Sequence, residues 1–330
     1  MWMEAEQSLP RSINVVLASH LLSQADKHKS TVREAGGATW KTGSPLLDKE
    51  LPRELWKGGS VLGVGSTDPA GHGLSIDIIV HHLLEQSSYR SGEDQQQNVF
   101  IVGPPAQATA SVQQIYTRLN TRISNDERPQ MIVATGHKGE DRKSDAKSLL
   151  NPVALLQYLD AAGLIESLSE VSSSIQPSQN TKPRRCILLI QGITHTINAL
   201  QRRSGLVQAA AMLSSILQAA RDIARASHGS CLCLLELDLL WERPNRELRS
   251  NAPSALNTAF TSPTGRRLRM EVSGVLGRLI DSHVSVLVTV HDGDGRIDAR
   301  SQDKRIVEVS KDQRLLNGTK NAGRWSIWSW

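Results

Sequence analysis

Cysteine is nearly absent from this sequence, and the three present, Cys186, Cys231 and Cys233, lie inside the apolar runs "CILLI" and "CLCLLEL". That placement suits buried thiols in a reducing compartment and excludes a disulfide framework. Cys231 and Cys233 stand one residue apart, and no His or second Cys pair has zinc-site spacing, so no metal site is expected. Aromatic residues make up 4% of the chain, with only two phenylalanines. Uninterrupted apolar runs long enough to cross a bilayer are missing too. The start, "MWMEAEQSLPRS", has acidic residues where a secretory signal would have basic ones and an apolar block. An intracellular protein with no membrane partner is the expectation.

What is present is ordinary in amount: 330 residues, 39% hydrophobic and 22% charged, enough for one large α/β domain or two smaller ones. The net charge is +5, and its distribution is more informative than its size. Between Arg243 and Arg269 stand Arg243, Arg246, Arg249, Arg266, Arg267 and Arg269 against one acid, Glu247. Smaller basic clusters occur at Lys182, Arg184 and Arg185, and at Arg202 and Arg203.

Along the chain, residues 12–28 space apolar side chains three and four apart, which predicts an N-terminal amphipathic helix. A Gly-Gly break follows at 36 and 37. The segment "VLGVGSTDPAGHGLSIDIIVHHLL" (61–84) predicts a strand, a glycine-rich turn and the first crossover helix. "NVFIVG" (98–103) predicts a second strand, 106–122 a helix, "QMIVAT" (130–135) a third strand and 151–171 another helix. "CILLIQG" (186–192) predicts a fourth strand, 204–227 a long helix and "SCLCLLEL" (230–237) a fifth strand. Short apolar runs alternating with helical patterns indicate βαβ units and a mainly parallel sheet with helices on both faces. After 284 the pattern becomes strand, Asp-Gly turn, strand, with "GRWSIWSW" as the last strand, so an antiparallel extension is expected to finish the sheet.

The glycine-rich turn has the frame of a phosphate-binding loop without its chemistry. His72 stands where such a loop carries its lysine and Gly73 where it carries a hydroxyl, and Gly65 to Gly71 encloses five residues instead of four, the four-residue register starting at Ser66. A histidine is shorter than lysine and mostly neutral at pH 7, and glycine offers no magnesium ligand. Backbone N–H groups at a helix start could still hold an anion or ATP weakly.

"TGSPLLDKEL" followed by this loop, then "CILLIQGITH", "RRSG", "CLCLLEL" and "GVLGRLIDSHVSVLV" in that order, resembles the RecA-type recombinase superfamily, and "VEVSKDQRLLNGTKNAGRWSIW" resembles the closing strands of the eukaryotic recombinase's paralogues. The resemblance implies a RecA-like core over 36–330 behind an N-terminal helical segment, 1–35. It also implies that the family's magnesium-ordering aspartate is replaced by Gln191 and that its water-activating glutamate is absent from "GPPAQA" (103–108). With the cation, the metal ligand and the base all missing, the expectation is a pseudo-ATPase that needs no cofactor.

In the family, segments after the fourth and fifth strands face DNA, which implies DNA contact through Arg202, Arg203, Arg243, Arg246, Arg249, Arg266, Arg267 and Arg269, by guanidinium–phosphate pairing. Phe260 and Trp241 are the aromatics near the later arginines, few for stacking single-stranded bases. The recombinase polymerises through a Phe-x-x-Ala segment, which neither Phe100 nor Phe260 supplies; Trp2 and Ala5 in "WMEA" form an aromatic-x-x-Ala analogue. Trp325, Trp328 and Trp330 are candidate interface anchors. The reading is a non-catalytic recombinase paralogue that scaffolds a hetero-oligomer with related RecA-fold subunits and contacts DNA in homologous-recombination repair in the nucleus. An Elongator-type subunit binding transfer RNA in a ring is the alternative, and a DNA-dependent ATPase with an atypical loop is a third.

Overall fold

Most of the apolar runs become strands of one sheet: β1 (Val61–Ser66), β2 (Val99–Gly103), β3 (Val153–Gln157), β4 (Cys186–Ile190), β5 (Cys231–Trp241), β6 (Leu268–Met270), β7 (Val286–His291), β8 (Lys304–Asp312) and β9 (Trp325–Ser329). The computed structural model describes residues 38–87, 98–126, 146–175, 185–227, 229–242, 256, 258–260, 266–272, 274–291, 304–313 and 321–329. All of them fall within one compact unit, Gly37–Trp330. The order across the sheet is β3-β2-β4-β5-β1-β7-β8-β9, with β6 paired to β5 off this path. Strands β3 through β7 of that order run parallel, and β8 is antiparallel to both β7 and β9. The central strands β1, β2, β4 and β7 are buried along their whole length, as expected of strands covered on both faces.

The covering helices are α1 (Pro45–Glu50), α2 (Gly73–Ser87), α3 (Pro105–Asp126), α4 (Ala161–Ile175), α5 (Ile193–Ala226) and α6 (Gly274–His283). Helices α1 to α3 bury Leu47, Leu74, Ile78, Ile115 and Leu119 with Val64, Val288 and Trp328 on one face. Helices α4 to α6 bury Leu164, Leu168, Leu213, Leu217 and Ile280 with Leu188, Leu235 and Leu287 on the other. The result is a mixed α/β fold with a mostly parallel central sheet. Cys186, Cys231 and Cys233 are buried free thiols at the starts of β4 and β5, and burial pushes the Cys233 thiol up to about 12.

Three expectations need correction. Residues 151–171 do not form one helix: the five-residue run Val153–Gln157 is strand β3, and α4 starts only after Asp160, whose carboxylate accepts the Gly163 N–H at 2.9 Å. A short apolar run before a helix cannot be told from the helix by spacing. The long helix expected at 204–227 is the part of α5 after Gly205, whose φ of 85° is open to glycine and breaks the helix there; the sequence reading missed the separate helical stretch before it, from Ile193. Strand β5 runs on to Trp241 and pairs there with β6, a strand the arginine-rich sequence hid. The helix at 12–28, the strand at 130–135 and the turn after His291 lie outside the described residues.

Candidate functional site

Strand β1 sits between β5 and β7, and the chain leaves β1 toward one side of the sheet but passes from β5 to the other. Crevices beyond the carboxyl ends of strands at such a reversal are where ligands bind in open α/β sheets. The turn from Ser66 to Gly73 occupies that place, and it is closed upon itself. The Asp68 N–H donates to Ser66 Oγ (3.2 Å), the Ala70 N–H to the Asp68 carboxylate (3.1 Å) and the Gly71 N–H to Asp68 O (2.9 Å). The Gly73 N–H is taken by Ala70 O and Gly71 O. N–H groups that would cradle a phosphate are therefore already satisfied, and the Asp68 side chain is the resident anion. Arg305 of β8 holds that carboxylate at 2.7 Å, which keeps Asp68 below the usual carboxylate range.

Two glycines of the loop motif have packing roles. Gly65 is a residue of β1, where a Cβ would lie 2.8 Å from Leu239. Gly71 is pressed against Ser66, and a Cβ there would overlap the serine hydroxyl. Ser66 itself donates to Val290 O at 3.4 Å.

His72 points at two carboxylates on the same face of β5: its Nδ1 lies 3.9 Å from Glu236 Oε2 and its Nε2 3.5 Å from Asp238 Oδ1. Glu236 is 6% exposed and accepts from Gln191 Nε2 at 2.8 Å. Gln191 in turn accepts from Ser111 Oγ (3.0 Å), and its backbone carbonyl accepts the Tyr158 hydroxyl (2.5 Å). Gln191 thus serves as a donor to a carboxylate, a role an aspartate could not fill. The hydroxyl of Ser75, also buried, lies beside the Glu236 carboxylate and favours its charged form. The sequence reading missed Glu236 and Asp238 because they sit in an apolar run; the available signal was two acids two residues apart at the end of a strand.

Burial pushes Glu236 above the usual carboxylate range. Burial also works against a charged His72, but the hydrogen bond that its ring N–H donates to Asp238 and the field of Glu236 outweigh it, and the imidazole is raised above 6.5. Both groups therefore hold their protons more tightly folded than unfolded, so stability falls as pH rises, above about 4.5 for Glu236 and above about 6.5 for His72. Urea midpoints measured from pH 6 to 8.5 should decline, and His72→Gln should flatten that decline.

The basic candidates divide. Arg202 and Arg203 are exposed, but they belong to helix α5 just before the Gly205 break, not to a loop. Arg266 and Arg267 are exposed and Arg269 is half-buried in β6. Arg243, Arg246 and Arg249 lie outside the described residues, as do Trp2, Ala5 and Trp330. Trp325 is 51% exposed, whereas Trp328 is 0% exposed and donates its indole N–H to Asp77 Oδ2 at 2.9 Å, leaving no surface for a partner. Asp77, in α2, also meets Arg118 Nη1 at 2.7 Å and Arg122 Nη2 at 3.4 Å, and Arg118 Nη1 donates to Gly73 O at 2.8 Å.

Among the described residues no group of three His, Cys, Asp or Glu side chains is placed to hold a metal ion, and no helix is long and apolar enough to cross a membrane. No family model matches this sequence, and no curated protein matches it.

Proposed function

We propose that this chain is a non-catalytic recombinase-paralogue subunit of RecA-like fold that scaffolds a hetero-oligomer and contacts DNA during homologous-recombination repair in the nucleus. The observation that carries the non-catalytic half is the closed loop. The N–H groups of Asp68, Ala70, Gly71 and Gly73 are spent within the loop, and His72, where a lysine would stand, faces Glu236 and Asp238. The imidazole lies 3.9 Å from Glu236 and 3.5 Å from Asp238, so any positive charge on it is met by these acids rather than offered to a polyanion. The mostly parallel sheet with its antiparallel C-terminal strands supports the resemblance drawn from the motif order.

Scaffolding is supported by β3, which is the outermost strand on its side among the described residues and exposes Leu155 (40%) and, just beyond it, Leu159 (90%). A pocket of about 240 Å³ lies between β3 and α4, lined by Phe100, Leu155, Leu156 and Val171 together with Glu170 and Ser174, and its exposed lining is mostly polar. A strand edge that is unpaired among the described residues suits an extended segment of a related subunit, its backbone adding to the sheet beside this pocket. DNA contact is supported by the exposed arginines on the connections that follow β4 and β5.

The test is binding to labelled single-stranded and duplex DNA across a salt series, with MgATP present or absent. Expected are retention that weakens with salt, no hydrolysis and no thermal shift with MgATP. Changing Arg266, Arg267 and Arg269 to alanine should lower affinity and reduce the log–log salt slope by roughly 2 to 3. A thermal shift and turnover with MgATP overturn the non-catalytic reading, and an unaltered slope removes this arginine surface.

A further inference from the structure

The two C-terminal strands distribute their charges unevenly between core and surface. Of the acids in β8, Glu308 is 0% exposed with its Oε2 2.9 Å from His291 Nε2, and Asp312 is 3% exposed and accepts the Asn321 side-chain N–H at 2.7 Å. Of the cations, Arg305 is held by Asp68 and Lys311 by Asp281. Among the described residues of β8, β9 and the turn before β9, the exposed charges are therefore Lys304 and Arg324, both positive.

Trp325 stands in this basic setting. It directly follows Arg324, is 51% exposed and has Glu308 as its cross-strand partner. Lys304 lies four residues from Glu308 on β8, so the alternation of side chains puts Lys304 and Trp325 on one face, roughly 13 Å apart along the strands. The indole is also braced. The Phe260 ring meets it edge-on at 5.5 Å between centroids and lies 5.3 Å from the His291 ring, and the Ala259 N–H seats that ring by donating to Glu308 Oε1 at 2.6 Å.

We infer that Trp325 stacks on an unpaired base of a single-stranded nucleic acid whose phosphates lie against Arg324 and Lys304. A braced, half-exposed indole beside two cations offers a π face and phosphate partners together, which is how single strands are held. In a duplex the grooves present base edges, which give an indole no face to stack on. The inference rests on the DNA-contact reading above and deepens it by selecting single strands.

The experiment compares wild type, Trp325→Ala, Trp325→Phe and the triple arginine variant of the full chain. Anisotropy is measured with labelled oligothymidylate, a fully abasic strand of equal length and charge, and a duplex of that length. Wild type should bind thymidylate about tenfold more tightly than the abasic strand. Trp325→Ala should lose that difference while binding the abasic strand and the duplex as wild type does, and Trp325→Phe should keep most of it. A Trp325→Ala protein that retains the preference, or that loses duplex and thymidylate affinity alike, overturns the stacking role; retained preference with loss of a co-purifying protein assigns the indole to a protein interface instead. If wild type shows no preference while the triple arginine variant weakens both strands, the stacking role fails and the DNA-contact reading stands. If wild type binds none of the three, both fail.

Discussion

Trp328→Ala should lower the unfolding free energy by about 4 kcal/mol, read as a shifted urea midpoint. The indole is wholly buried between the sheet and α1–α3, so its removal opens a cavity in a core with little room to collapse. The same change leaves Asp77 Oδ2 without the indole N–H it accepts. Trp328→Phe separates the two effects, since it keeps most of the ring volume and loses only the hydrogen bond; about 1 to 2 kcal/mol is expected for it. If Trp328→Ala were as stable as wild type and instead lost a partner in a pull-down, the tryptophan would be an interface residue after all.

Asp77→Ala should cost about 3 kcal/mol, because a buried carboxylate that joins α2, α3 and β9 is removed while its partners stay. Arg118 and Arg122 keep some access to water, 21% and 28% of their side chains, which holds the cost to the lower end of what breaking a buried pair entails. The Asp77→Ala/Trp328→Ala double variant should be less unstable than the sum of the singles, since both break the 2.9 Å bond between them. Strict additivity in a denaturation series would show that this bond contributes nothing.

How far the sequence could be read depended on whether a signal was local. Strands β1, β2, β4, β5 and β7 announced themselves as short apolar runs, and the antiparallel finish was visible in the strand–turn–strand pattern after 284. Strand β3 was lost because a five-residue run abuts a helix, and β6 because its three residues stand among arginines. At the site, the missing lysine and hydroxyl were plain in His72 and Gly73. What replaces them was not: Asp68 and Arg305 are 237 positions apart, and no spacing rule pairs them. Gly65 looked like a loop glycine and is a strand residue that makes room for Leu239. Glu236 and Asp238 were concealed by the leucines around them, although their alternation aims both at one face.

The contact between Arg118 and Gly73 bears on which side chains the loop accepts at position 73. A Cβ at Gly73 would come 2.5 Å from Arg118 Nη2 and 3.1 Å from the Trp328 ring, so a side chain there has to displace a guanidinium that Asp77 and the Gly73 carbonyl hold in place. Giving position 72 a lysine would set that cation between Glu236 and Asp238 and neutralise acids instead of phosphates. A lysine at 72 with a serine or threonine at 73 thus calls for adjustment in α2, α3, β5 and β9 together.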